Sequence, residues 1–162
     1  HRADTRIAVA QRRHFARAGP AAEHHRQRIG GMACGGVGRD RVVAPGALDQ
    51  RACEGRATSL VTIHSFTKMY KGKEREVELG ILFDRDARIA DRLIKAFPKV
   101  DVRLNEPYGP KDGVLHTLNL HAAPRGLKSA MIEIRNDFIA NERGQNEWAQ
   151  RLAMPLIHAT TK

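Results

Sequence analysis

The sequence has 162 residues, two cysteines and a formal net charge of +10. This length suits one domain with a moderate core, and two cysteines exclude a disulfide scaffold. No apolar run approaches the roughly 20 residues that a membrane helix needs, and the first residues lack the apolar segment of a signal peptide. We therefore expect a cytoplasmic protein without a membrane partner. The chain also lacks an initiator methionine, so we expect it to be part of a longer translation.

The excess of positive charge raises the question of nucleic-acid binding. Residues 1–58 carry 11 arginines and 5 acidic residues, whereas residues 59–162 carry 17 basic and 13 acidic residues. A specific nucleic-acid binder is expected to combine a basic face with aromatic residues or a known module. The more basic segment has one aromatic residue, Phe15, and no such module. We expect no specific nucleic-acid partner, and keep a basic nucleic-acid-binding protein as an alternative.

Residues 1–54 form a segment of biased composition. Alanine, glycine and arginine make up 31 of the first 58 residues, and lysine is absent from them. Such a segment buries too little apolar surface to offset the entropy lost when its backbone becomes ordered. We expect residues 1–54 to be disordered, or to be translated from a shifted reading frame, and residues 55–162 to form the folded domain.

The first clear strand covers Ser59–Phe66, where apolar and β-branched residues favour a buried strand. His64 lies close to its carboxyl end. Ligands of open α/β sheets bind at the carboxyl ends of strands, so this imidazole is placed like a site residue. The alternative interpretation is a histidine that bonds to the backbone at the end of a strand.

The remaining elements alternate between strands and helices. Asp84 is expected to cap the first helix, and Pro155 is expected to kink or end the last one. The predicted elements are a strand at 77–83, a helix at 85–97, a strand at 100–104, a short helix at 114–123, a strand at 130–135 and a helix at 141–158. This order predicts an α/β domain with helices layered on a largely buried sheet.

Glu133 stands between two isoleucines in the predicted strand at 130–135. A carboxylate in such a strand is costly unless it is paired, hydrogen-bonded or close to a cation. One interpretation is a structural ion pair with Arg135. The other is a carboxylate that faces a metal ion or a reacting proton. The strand alone leaves both interpretations open.

Five short segments occur in a fixed order along residues 55–156. They are Ile63-His64-Ser65-Phe66-Thr67, Gly80-Ile81-Leu82-Phe83-Asp84-Arg85-Asp86, Asn105-Glu106-Pro107-Tyr108, His121-Ala122 with Arg125-Gly126-Leu127, and Met131-Ile132-Glu133-Ile134-Arg135-Asn136-Asp137. Together they resemble the C-terminal part of the N-formylglutamate amidohydrolase family.

This resemblance implies a mixed sheet between helices, similar to the fold of zinc carboxypeptidases and aspartoacylases. It also implies metal-dependent hydrolysis of N-formyl-L-glutamate, or of a related N-acyl amino acid, with zinc as the expected metal. In that reading His64 is a metal ligand, Glu133 is the general base and Arg135 binds a substrate carboxylate. Four further residues are expected in the substrate pocket: Asn105, Glu106, Tyr108 and His121.

The N-terminal part of the family supplies the other metal ligands, and residues 1–58 hold no clear equivalent. His24 and His25 lie beside Glu23, but no predicted strand precedes them. Catalytic zinc normally takes three protein ligands, so one histidine would not hold it tightly. An inactive remnant of the enzyme is therefore an alternative to an active hydrolase.

Overall fold

The structure is a computed structural model that describes residues 45–161. In chain order its elements are helix α1 (Pro45–Cys53), strands β1 (Ser59–Phe66), β2 (Met69–Tyr70), β3 (Lys73–Glu74) and β4 (Leu79–Leu82), helix α2 (Ala90–Leu93), strands β5 (Val102–Leu104) and β6 (Lys128–Arg135), and helix α3 (Glu142–Thr161). Short helical turns cover 94–96, 110–112, 118–125 and 136–139. No helix within this range combines the length and the apolar character needed to span a membrane.

The main sheet has four strands in the order β1-β6-β4-β5. Strand β6 is parallel to β1 and antiparallel to β4, and β4 is parallel to β5. Strands β2 and β3 form a separate small hairpin. The α/β class, with a mixed sheet and flanking helices, is confirmed.

One face of the sheet holds the main hydrophobic core. Alternate residues of the strands, such as Val61, Ile81 and Ile132, are fully buried there and pack with Leu93 of α2 and Trp148 of α3. Side chains alternate between the two faces of a strand, so the residues between these point to the opposite face. Helices α2 and α3 therefore cover one face of the sheet, and other segments contact the opposite face.

The opposite face is apolar at one end and polar at the other. Leu60, Leu82 and Met131 form a second cluster with Leu115 and Leu118, which lie on the segment that connects β5 to β6. Toward the carboxyl ends of β1 and β6 this face instead carries Thr62, His64, Glu133 and Arg135. The covering segment thus closes one half of this face, and the polar residues occupy the other.

Gly80 allows a loop to approach this polar region closely. It pairs with Glu133 across the β4–β6 ladder, and a Cβ atom at position 80 would overlap the backbone carbonyl oxygen of Glu106. A residue without a side chain is needed where another backbone comes this close. The loop that follows β5 therefore crosses the sheet directly beside Glu133.

Replacement of Gly80 by alanine is expected to lower the free energy of unfolding by about 1–3 kcal/mol, because the added methyl group forces the two backbones apart. Urea denaturation measures this change. Gly46→Ala in α1 is the matched control, since nothing lies within 4 Å of the Cβ position there. An equally stable Gly80→Ala protein would contradict the close approach of the loop.

The structure corrects two predicted helices. The helix predicted at 85–97 begins only at Ala90 and has no side-chain cap, so Asp84 is not its N-cap. Instead, the carboxylate of Asp86 accepts hydrogen bonds from the backbone N–H of Arg88 (3.0 Å) and from its guanidinium, which stabilises a turn. Helix α3 continues through Pro155 to Thr161 and does not end at the proline.

Helix α1 lies before the predicted domain boundary at residue 54. Leu48 is 3% exposed, and the carboxylate of Asp49 pairs with Arg125 at 2.7 Å, so the helix packs against the rest of the domain. Its local sequence, which has no large apolar residue besides Leu48, gave little indication of this packing. The predictions for residues 1–44, including the shifted frame and His24-His25, lie outside the described residues.

Candidate active site

His64 and Glu133 lie opposite each other on neighbouring parallel strands. The register pairs His64 of β1 with Glu133 of β6, so both side chains leave the same face of the sheet. Adjacent strands are about 4.8 Å apart, which makes the two side chains direct neighbours. Gly80 of β4 pairs with Glu133 on its other side, so His64, Glu133 and Gly80 form one row across the sheet. The structure therefore brings the predicted metal ligand and the predicted general base together.

The carboxyl group of Glu133 is buried and incompletely satisfied. Its residue is 4% exposed, and its Oε2 atom has no hydrogen-bond partner among the described residues. Burial raises the pKa of Glu133 to about 7, although the positive charge of Arg75 acts in the opposite direction. Buried polar groups in native proteins are rarely left without a partner, so this atom marks a place where a ligand or water binds.

Thr62 supplies a second polar atom of the same kind. It lies two residues before His64 on the same face, is 1% exposed, and its Oγ1 atom also lacks a hydrogen-bond partner among residues 45–161. These two oxygens are the unsatisfied buried side-chain atoms of the described region. Both belong to the polar half of one sheet face, which supports a single site there.

Arg135 does not pair with Glu133. Its guanidinium donates to the Asp137 carboxylate from Nε (2.8 Å) and Nη2 (3.2 Å), and from Nη1 to the carbonyl oxygens of Arg75 (3.2 Å) and Glu76 (2.9 Å). The pair lowers the pKa of Asp137 below its usual value. The structural ion pair between Glu133 and Arg135 is therefore wrong, and a substrate carboxylate on Arg135 would have to replace Asp137.

Arg75 is a site residue that the sequence did not indicate. Its Nη1 atom donates to the hydroxyl of Tyr108 (3.1 Å) and to the carbonyl oxygen of Thr67 (3.4 Å). Its guanidinium carbon lies 4.3 Å from the ring centre of Tyr70 and 5.0 Å from that of Tyr108. Cations stack on aromatic faces, so these rings hold the guanidinium in place, and its positive charge acts on Glu133. The sequence signal that could have pointed to Arg75 is the presence of aromatic residues close to the predicted site.

Tyr108 contacts Arg75, whereas Asn105 and Glu106 fix the loop through their own contacts. Asn105 has a left-handed backbone (φ 54°), and its side-chain oxygen accepts the backbone N–H of Phe83 at 2.9 Å. The Glu106 side chain is half exposed and pairs with Arg103 at 3.2 Å, while its carbonyl oxygen lies over Gly80. The predicted substrate contacts of Asn105 and Glu106 stay predictions, and their observed contacts fix the loop.

His121 has its neighbours in another part of the domain. It is 9% exposed, and burial lowers its pKa, as does the positive charge of Arg125, while Asp49 of α1 acts in the opposite direction. Arg125 also donates to the backbone carbonyl of His121 at 3.1 Å. None of these partners belongs to the row of His64 and Glu133. Its predicted place in the substrate pocket stays a prediction that these contacts do not support.

A large cleft lies away from this row. Its volume is about 810 Å³, and it opens between the turn at 84–91 and the connecting segment at 118–129. It contains none of the predicted site residues, and one of its carboxylates, Asp86, is bound by Arg88 at 2.7 Å. We do not assign the reaction to this cleft, because the unsatisfied buried carboxyl group lies elsewhere.

A complete zinc site is not formed within residues 45–161. No group of three His, Cys, Asp or Glu side chains in this range is arranged to hold a metal ion. Catalytic zinc sites normally have three protein ligands. The described residues therefore do not fit a zinc ion by themselves, and His64 can supply at most one ligand of such a site.

Comparison with known proteins identifies the family. The family model for N-formylglutamate amidohydrolase matches residues 45–140, which is more than half of the chain and begins at the first residue of α1. The chain belongs to the N-formylglutamate amidohydrolase family. The resemblance noted in the sequence is thereby confirmed, and the match begins ten residues before the predicted domain.

A solved structure is also similar to this chain. The chain is similar to the crystal structure of gene product Atu2144 from Agrobacterium tumefaciens, with 51% identity and a TM-score of 0.67. The similarity covers 69% of this chain and 45% of the Atu2144 chain, so the sequence spans less than half of that relative. No curated protein matches the chain.

Proposed function

We propose that the protein hydrolyses the amide bond of an N-acyl amino acid, with N-formyl-L-glutamate as the substrate that its family suggests. Family membership supports the reaction type. The observation that carries the proposal is the buried Oε2 atom of Glu133, which lacks a partner and lies on the strand position opposite His64. This is the arrangement expected of a group that exchanges protons with a bound ligand.

Glu133 serves as general base and then as general acid in this proposal. A group with a pKa of about 7 can accept and donate a proton at neutral pH. Its carboxylate takes a proton from water, whose oxygen attacks the formyl carbon. The same proton then passes to the amide nitrogen as the C–N bond breaks, which gives formate and glutamate. Tyr108 retains an O–H that can donate to the formyl oxygen, since it accepts from Arg75.

Zinc belongs to this proposal only if residues outside 45–161 join His64 as ligands. When bound, zinc would acidify a water molecule and polarise the formyl carbonyl. Residues 45–161 do not supply three ligands, so further ligands would have to join His64. We also propose, from the family resemblance, that the fold is similar to that of zinc carboxypeptidases and aspartoacylases. No step of the mechanism above depends on zinc or on this similarity.

Release of formate tests the proposed function. The purified chain is incubated with N-formyl-L-glutamate, with and without added zinc, and formate and glutamate are measured together. We expect equal amounts of the two products. A folded chain that releases neither under both conditions would overturn the proposal for this polypeptide.

An inactive remnant is the second candidate function. It is favoured by the absence, within residues 45–161, of three side chains arranged to hold a metal ion. Isothermal titration with zinc separates the two candidates. A zinc-dependent hydrolase, in which residues outside 45–161 complete the metal site, should bind one zinc ion with micromolar or tighter affinity, and His64→Ala should weaken this binding strongly. Absence of measurable binding would favour the remnant.

A further inference from the structure

We propose that Arg75 binds a carboxylate of the substrate and so restricts the site to anionic N-acyl amino acids. This inference rests on the proposed function, because it names the group that holds the substrate beside Glu133. It moves the role of anion binding from Arg135, where the resemblance placed it, to a residue on the loop that follows β3.

The partners of three arginines near this face support the choice. Arg103 pairs with the carboxylates of Asp101 (2.8 Å), Glu76 (3.1 Å) and Glu106 (3.2 Å). Arg135 pairs with Asp137. Within residues 45–161, Arg75 forms no ion pair. Its charge is therefore the one of these three that a substrate anion can neutralise without displacing a carboxylate of the protein.

Arg75 also keeps the required donors available. Its two observed side-chain hydrogen bonds both come from Nη1. A guanidinium has five N–H groups, so Nε and Nη2 still present three that have no acceptor within the described part of the chain. Nε and Nη2 form the edge that binds a carboxylate with two parallel hydrogen bonds. The chemistry of the free edge thus matches a carboxylate.

The surrounding aromatic rings and the two Nη1 hydrogen bonds hold the guanidinium in place. The guanidinium carbon lies 4.3 Å from the ring centre of Tyr70, 5.0 Å from that of Tyr108 and 5.7 Å from that of Phe66. A side chain that is held before the ligand arrives loses less entropy on binding. Tyr70 is 49% exposed, so this cluster lies at the surface, where a dissolved ligand can reach it.

The position of Arg75 links anion binding to the reacting group. Phe66, whose ring contacts Arg75, lies two residues after His64 on the same face of β1. The carbonyl oxygen of Arg75 accepts a hydrogen bond from Arg135, which lies two residues after Glu133 on the same face of β6, and the charge of Arg75 acts on Glu133. A substrate held by its carboxylate on Arg75 therefore presents its amide bond toward Glu133. An N-acyl amino acid always carries a carboxylate near its amide, whereas a neutral amide has no such anchor.

Ligands that lack an N-formyl group test this assignment. Binding of glutarate and of the neutral glutaramide is measured by NMR titration at constant ionic strength. Arg75→Met is expected to weaken glutarate binding about 10- to 100-fold, the range for lost hydrogen bonds to a charged group, with little effect on glutaramide. Arg75→Lys, which keeps the charge but loses the planar edge, should give an intermediate loss. Lys73→Met removes one charge from the same hairpin and should bind glutarate like the wild type.

Three results would overturn the inference: no binding of glutarate by the wild-type chain, unchanged binding by Arg75→Met, or an equal loss in Lys73→Met. If Arg75→Met does not fold, Arg75→Lys decides by the same criterion. The formate assay distinguishes this inference from the proposed function. Binding that depends on Arg75 without any formate release overturns the function alone, and formate release with glutarate binding that is indifferent to Arg75 overturns the inference alone.

Discussion

Glu133→Gln is expected to lower the rate of formate release about 100- to 10,000-fold, the usual contribution of a general acid–base group. Glutamine has nearly the same shape as the protonated carboxyl group but cannot take up a proton. The Oε2 atom of Glu133 has no other structural partner among the described residues, so the substitution removes proton transfer and leaves the packing of the strand intact. Steady-state kinetics with N-formyl-L-glutamate measures this effect.

Glu76→Gln is the matched control for that measurement. The Glu76 side chain is 82% exposed and pairs with Arg103, away from the row of His64 and Glu133. This variant should retain nearly full activity. If Glu133→Gln releases formate as fast as Glu76→Gln, Glu133 does not transfer the proton.

Glu133→Gln is also expected to change the pH dependence of stability. The pKa of Glu133 is about 7 in the folded protein, against an ordinary value of 4.5. Between these values the folded wild type binds more protons than the unfolded chain, so the wild type loses stability as pH rises from 4.5 to 7. The shift corresponds to about 3 kcal/mol, and the glutamine variant avoids this loss because it does not ionise.

Urea denaturation at pH 4 and pH 8, in the presence of a chelator, measures this difference. The stability of Glu133→Gln relative to the wild type should increase by about 3 kcal/mol between the two pH values. The difference in unfolding free energy between the variant and the wild type at pH 4 measures any effect of the amide itself, and it is subtracted from the difference at pH 8. Glu76→Gln should show no such increase. A difference between Glu133→Gln and the wild type that is independent of pH would mean that the carboxyl group is solvated.

The parts of the site that depend on local sequence could be predicted. The alternation of β1 places His64 near a strand end, and an acidic residue between Ile132 and Ile134 is conspicuous in any buried strand. Their facing positions were implied by the family resemblance alone. The sequence does not contain the register, which is set by pairing between strands that are about 70 residues apart.

The roles of Arg75 and Arg135 could not be read from the sequence. Both are arginines near predicted strands, and only tertiary contacts show that one is bound by Asp137 while the other stacks on tyrosines. The late start of helix α2 could not be read from the sequence either. Its predicted first turn has the right apolar spacing, but Asp86 bonds to the backbone of Arg88 and favours a turn there.

A pH titration of the Glu133 carboxyl carbon tests the central claim most directly. The chain is labelled with ¹³C at the glutamate side-chain carboxyl, and comparison with Glu133→Gln assigns the signal. The account predicts a midpoint at about pH 7, because the group is buried beside His64 without a hydrogen-bond partner for Oε2. A midpoint near 4.5 would show a solvated carboxylate and would contradict the site described above.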